Sequence, residues 1–315
     1  MDASHVVTKE KALFQRAFSW LHFREGAYSL VSFACAFVSV IITFSIVFVL
    51  GNETIAFFQS PDVTVREFFT TTDWRPTFDP PGFGMVPLMT GTLMITLGSA
   101  LVAVPLGLAS AIYLAEYAKP AVRKALKPIL EILAGIPTIV YGYFALFHLT
   151  PFLRSVFGAD RIEVFNAASG AIVVGVMTLP LVTSLCDDAI TAVPRSLREG
   201  GKALGSTNYE TIRRIVLPGA LSGIMASFIL AVSRAIGETM AVTLASGQTP
   251  NVTFNPGEAI QTMTAYIVQI SKGDTPNGST AYLTLFAVAA TLFAITYALN
   301  VLARKMVRKY GSRYS

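Results

Sequence analysis

Charge is what this sequence has least of. Of its 315 residues only 14% are Asp, Glu, Lys or Arg, against about 25% in a soluble domain. Hydrophobic residues make up 53%, and the mean hydropathy is +0.58. A chain so poor in charge points to lipid before any motif is read. Cysteine and histidine are also scarce. Cys35 and Cys186 both lie in apolar stretches and read as small hydrophobes, which leaves no disulfide framework. His5, His22 and His148 are far apart, and there is no HExxH or CxxC run, so zinc chemistry is not expected. A phosphate-cradling GxxxxGK[ST] loop is missing too. Gly200-Gly201-Lys202 is basic and glycine-rich, but its spacing fails. The chain is therefore not expected to bind ATP, hold a cofactor or metal, or act as an enzyme.

What is present is length in apolar runs. A helix needs about 20 apolar residues to cross the hydrocarbon. Six runs qualify: 30–50, 88–117, 128–150, 167–186, 219–246 and 281–302. Basic residues fall on one side of them. Eighteen of the 24 Lys and Arg lie before the first run, after the last, or in the second and fourth connections. Five lie on the other side (Arg66, Arg75, Arg154, Arg161 and Lys272), and Arg234 is inside a run. The positive-inside rule then puts both termini in the cytoplasm. Topology accounts for the sequence pI of about 9.2, so nucleic acid is not a partner and membrane lipid is. The expected fold is an all-α membrane protein of six transmembrane helices.

The domain expectations follow from these runs. Residues 1–29 form a cytoplasmic N-terminal segment, and 8–23 within it are a candidate interfacial helix, with Leu13, Ala17, Trp20 and Leu21 near one face. Residues 30–50 are the first span and 51–87 an external loop. A transport core covers 88–302, and 303–315 form a basic cytoplasmic tail. The external loops 51–87 and 247–280 are long enough to dock a partner. The first is rich in turn residues (Pro76, Pro80, Pro81, Gly82, Gly84).

The cytoplasmic segment 187–218 carries most of the information. Pro194 can open a helix over 195–203, Gly205 can cap it, and Ser206–Asn208 can start a second. Pro218 is expected to close the segment before the fifth span. A helix, a tight glycine turn and another helix make a rigid knob suited to another protein's groove. Glu199, Gly205 six residues later, Ile215 ten after that, and Leu217-Pro218 stand at the spacing of the signature loop of ABC-importer permeases, which this segment resembles. Gly200 and Gly201 occupy positions where alanine is usual; each lowers helix propensity by about 1 kcal/mol. The resemblance implies a type I permease bundle whose loop (Glu199, Gly200, Gly201, Gly205, Ile215, Leu217, Pro218) docks on a separate ATP-binding subunit dimer.

The second feature is a pair of charges inside the fifth run. Arg234 and Glu238 stand four apart in Ser-Arg-Ala-Ile-Gly-Glu-Thr, where helical spacing would let them pair. Charges in a span are expensive and mark a pathway. Arg offers a planar fork to a tetrahedral oxyanion. A carboxylate can accept a hydrogen bond from a protonated phosphate, and sulfate carries no such proton at neutral pH. Ser233 and Thr239 add hydroxyls, so the four form the candidate substrate pathway. Two roles are open for the pair: contact with substrate, or a lock or gate between helices.

The run RAIGETMAV (234–242), with 91–118 and 131–147, resembles the PstC-type permease of phosphate ABC importers. That likeness implies a heterodimer with a PstA-type permease, an ATPase dimer, an external phosphate-binding protein and a place in the bacterial inner membrane. The alternatives are a permease for another oxyanion (sulfate, molybdate or phosphonate) or a transporter without an ATPase.

Overall fold

The computed structural model describes the backbone of residues 3–273 and 275–311 and the side chains of 25–273 and 275–305. The interfacial face expected over 8–23 and most of the basic tail lie outside the described side chains. The chain divides into two units, Met1–Glu53 and Thr54–Ser315. Residues 3–53 of the first lie in helix α1 (Ala3–Gln59), which has no break between the N-terminal segment and the first apolar run.

In the second unit, helix α2 (Val65–Thr70) leads to a two-residue antiparallel pair, β1 (Trp74–Arg75) with β2 (Gly82–Phe83). This hairpin is a small departure from the all-α expectation. Its outcome is an aromatic plug: Phe57, Phe68, Phe83 and Trp74 are buried, and the Trp74 ring meets Tyr266 edge-on at 4.8 Å. The long external loop is therefore packed rather than draped.

Helix α3 (Val86–Ile112) packs along α7 (Ala167–Thr191), the most extensive helix pair of the bundle. Small residues allow the close approach. A Cβ on Gly98 would stand 2.7 Å from Ala171 Cβ, and one on Gly175 would stand 2.7 Å from Val102 Cβ. Buried Asn166 starts α7, its side chain accepting from the Ser169 amide at 2.8 Å.

Two of the expected spans are broken. The run 128–150 is not one helix: α4 (Pro120–Gly135) ends, and α5 (Thr138–Phe144) with α6 (Thr150–Phe157) continues at 90° to it. Pro137 is the cause, because a residue preceding proline is driven from helical to extended backbone, and Ile136 has ψ 130. The run 219–246 is likewise two helices, α10 (Leu217–Ile236) and α11 (Met240–Ser246), interrupted at Gly237. Among the described residues, five helices are long and apolar enough to cross a membrane, and the bent pair makes a sixth.

Between α7 and α10 lie α8 (Arg195–Ala203) and the short α9 (Asn208–Thr211). Pro218 does not close this segment as expected. A π-helical turn, Ile212–Val216, joins α9 to α10, and Pro218 falls in the first turn of the continuing helix. The widened turn absorbs the missing proline N–H and its ring. Comparable π turns (Tyr113–Tyr117 and Ala145–Leu149) precede Pro120 and Pro151. Helices α12 (Met263–Lys272) and α13 (Thr280–Gly311) complete the bundle.

Candidate functional site

The cytoplasmic loop is built by local chemistry. Pro194 precedes the first turn of α8, and Gly205 takes φ +85, the left-handed conformation that ends it. A capping box starts α9: the Glu210 amide donates to Thr207 Oγ1 at 3.3 Å, and the Thr207 amide donates to Glu210 Oε2 at 2.9 Å. The two glycines of the signature differ in role. Gly201 is buried, and a Cβ there would stand 2.6 Å from Ile215 Cδ1. A Cβ on exposed Gly200 would meet nothing. Glu199 is exposed, and Leu204 is 89% exposed at the turn. Exposed Leu197, Leu204 and Tyr209 give the knob an apolar surface that the signature spacing does not name.

The residue that fastens the knob is Arg198, which the sequence reading passed over. Its Nη1 donates to the Val193 carbonyl at 2.7 Å, and its Nη2 donates to the Ile190 carbonyl at 2.7 Å and to Glu116 Oε1 at 3.0 Å. One guanidinium thus ties α8 to the ends of α7 and of the second span.

Ser233, Arg234, Glu238 and Thr239 are not brought together. The helix carrying Arg234 ends at Ile236, so the four-residue spacing no longer sets both side chains on one face, and no Arg234–Glu238 ion pair exists among the described residues. Glu238 is buried at the start of α11, where its Oε1 accepts from the Ala241 amide at 3.3 Å. Its own carbonyl accepts from Thr264 Oγ1 at 2.7 Å. Ser233 Oγ donates to Asn300 Oδ1 on α13 at 3.5 Å, and Thr239 Oγ1 donates to the Gly237 carbonyl at 3.2 Å.

Arg234 instead lines a cavity of about 250 Å³ with Lys127 and Glu131 of α4 and Thr183, Ser184 and Asp187 of α7. Asp187 Oδ2 holds Arg123 Nη2 at 2.8 Å and Lys127 Nζ at 3.6 Å, and Asp188 Oδ1 lies 3.4 Å from Lys127 Nζ. This network joins α4 to α7 near the cytoplasmic end. Nothing in the sequence spacing announces it, since the cavity residues come from four elements far apart in the chain. No group of three or more His, Cys, Asp or Glu among the described residues is arranged to hold a metal.

Comparison with known proteins matches this architecture. Residues 103–310 match the family described as the binding-protein-dependent transport system inner membrane component. The chain is 35% identical over 271 residues to a probable ABC transporter permease protein YqgH of Bacillus subtilis, covering 86% of this chain and 87% of that one. It is 33% identical over 266 residues to the phosphate transport system permease protein PstC of Mesorhizobium japonicum, covering 78% and 79%. Among solved structures, a bacterial ABC transporter that imports the acidic polysaccharide alginate aligns with TM-score 0.62 at 15% identity, covering 91% of this chain and 98% of that one. The inward-facing MetNI methionine transporter aligns with TM-score 0.55 at 19% identity, covering 72% and 97%. The fold is that of a type I importer permease, multi-pass in the inner membrane, and the chain belongs to the family of binding-protein-dependent transport system inner membrane components.

Proposed function

We propose that this chain is the PstC-type permease of an ATP-driven phosphate importer. It pairs with a PstA-type permease, docks its 187–218 loop on an ATP-binding subunit dimer, and receives phosphate from an external binding protein. Hydrolysis of ATP falls to the partner chains. The observation that carries the substrate is likeness to PstC permeases across more than three quarters of the chain. A cation within a membrane span supports it: Arg234, exposed at the mouth of the cavity and without an ion pair among the described residues, is suited to attract an oxyanion. The exposed knob fastened by Arg198 supports the coupling role. Arg234, Glu238, Thr239 and Ser233 remain the proposed pathway residues, with Glu238 acting through the start of α11 rather than by pairing with Arg234.

The test is ATP-dependent uptake into proteoliposomes holding this chain, its partner permease, the ATPase and the binding protein. Radiolabelled phosphate uptake that resists excess sulfate supports the reading. Uptake of sulfate or molybdate in preference to phosphate removes the substrate and leaves a permease for another oxyanion. Transport with the ATPase left out removes the coupling role.

A further inference from the structure

Three buried threonines of α3 and α7 bond back along their own helix. Thr92, Thr96 and Thr178 each donate their hydroxyl to a carbonyl one turn back along their own helix, at 2.8, 2.7 and 2.8 Å. Thr183 does not. It is fully buried (0% exposed), yet its Oγ1 has no partner. One helical turn on, Asp187 is 2% exposed. Its Oδ2 is held by Arg123 and Lys127, while its Oδ1 has no partner. Both residues line the 250 Å³ cavity with Arg234 and Lys127. A buried donor and a buried acceptor left open, beside a guanidinium without an ion pair and an ammonium, are unusual, because such groups are ordinarily satisfied.

We propose that this cavity is an exit station for a protonated tetrahedral oxyanion on its way to the cytoplasm. The Arg234 guanidinium and the Lys127 ammonium take the unprotonated oxygens, Thr183 Oγ1 donates to one of them, and Asp187 Oδ1 accepts a hydrogen bond from the protonated oxygen of the anion. A fully deprotonated anion such as sulfate offers nothing to Asp187 Oδ1 and meets both the Asp187 and Glu131 carboxylates unbridged. Two cations against two carboxylates keep the site near neutral, so it binds weakly enough to release, as a conduction path requires. Asp187, near the end of α7, is paired with Lys127 of α4 on the side the basic residues mark as cytoplasmic. The identity of the anion rests on the phosphate reading; the placement of the station does not.

The assembled permease–ATPase complex in nanodiscs, without binding protein, tests this through the 31P resonance of added inorganic phosphate. Exchange with the station should broaden the line, and excess sulfate should leave the broadening in place. Thr183→Val removes the hydroxyl at nearly constant shape and should weaken binding about tenfold, the value of one hydrogen bond to a charged group. Thr183→Ser should keep it. ATP hydrolysis stimulated by loaded binding protein, measured alongside, reports that each variant is assembled. Equal broadening in wild type and Thr183→Val overturns the proposal. So does displacement by sulfate, or a Thr183→Ser loss as large as that of valine, which would mark a packing role. Wild-type uptake in proteoliposomes decides the substrate separately: phosphate carried normally with Thr183→Val unchanged in the resonance assay removes the station alone.

Discussion

Arg198 on α8 holds Glu116, at the end of the second span, at 3.0 Å, while its other hydrogen bonds go to carbonyls at the end of α7. The pair is 19% and 14% exposed, so it is shielded from salt more than a surface ion pair. One side chain therefore ties α8 to two spans. Removing it leaves Glu116 and two carbonyls without their donor, a loss of about 2 kcal/mol of loop docking. Arg198→Ala is expected to keep basal ATP hydrolysis by the partner subunits and to lose most of the stimulation by loaded binding protein. Glu116→Gln should show a milder form of the same defect. In a double-mutant cycle on uptake rates the two should be non-additive; strict additivity would remove the clamp.

Arg234 gives the second prediction. Its fork can bind two oxyanion oxygens at once, whereas lysine offers only a point charge. Arg234→Ala should lower phosphate uptake in proteoliposomes by at least about tenfold, with Arg234→Lys falling between it and wild type. Because no ion pair with Glu238 exists among the described residues, Glu238→Gln should not reproduce the Arg234→Ala defect. Its effect should come through the cap on α11 that the Glu238 carboxylate provides. Identical defects in the two variants, with rescue in a charge-swapped double mutant, would restore the paired reading.

How far the sequence carried these conclusions depends on the range of the interaction. The knob at 195–211 was legible because each of its devices is local: Pro194 before a helix, Gly205 at positive φ, Thr207 with Glu210 three residues on. Gly135-Ile136-Pro137 marks the break in the third run within the sequence itself, whereas the break at Gly237 escaped the span assignment because the run is apolar on both sides of it. The pairing of Arg234 with Glu238 then failed for a single reason, since four-residue spacing places side chains together only where the helix is intact. The cavity was out of reach altogether: Lys127, Thr183 and Arg234 meet only once three helices have packed. Arg198 was in plain view, but nothing in a short polar helix distinguishes the arginine that turns inward.

Glycine substitutions should separate close packing from open space. An alanine at Gly175 would place its Cβ 2.7 Å from Val102 Cβ and 3.0 Å from the Ser99 carbonyl oxygen, a backbone atom that cannot step aside. Gly175→Ala should destabilise the bundle by about 1–3 kcal/mol. Gly200→Ala meets nothing and sits inside α8, so it should stabilise that helix by up to about 1 kcal/mol. Thermal unfolding of the detergent-solubilised subunit would show shifts of opposite sign. A fall at Gly200 would mean that the open space is not open.

Acid should loosen the second external loop through Glu258. Its carboxyl is held below the ordinary 4.5 first by the Thr253 hydroxyl and then by Asn255, with a smaller contribution from Asn251. Asn255 Nδ2 donates to Oε1 at 2.9 Å and Asn251 Nδ2 to Oε2 at 3.3 Å. A carboxyl with a depressed folded value contributes stability that is fully present above its unfolded value and is lost as pH falls through the folded one. The loop is also stitched to the start of α7, since the Ala167 amide donates to the Glu258 carbonyl at 3.0 Å and the Ala168 amide to the Pro256 carbonyl at 2.7 Å. Amide hydrogen exchange over 251–258 should therefore stay slow at neutral pH and accelerate, beyond the intrinsic change, as the labelling pH drops below about 4.5. Glu258→Gln should exchange with no such pH step, because glutamine does not titrate. A step that survives in Glu258→Gln would assign the acid response to another group.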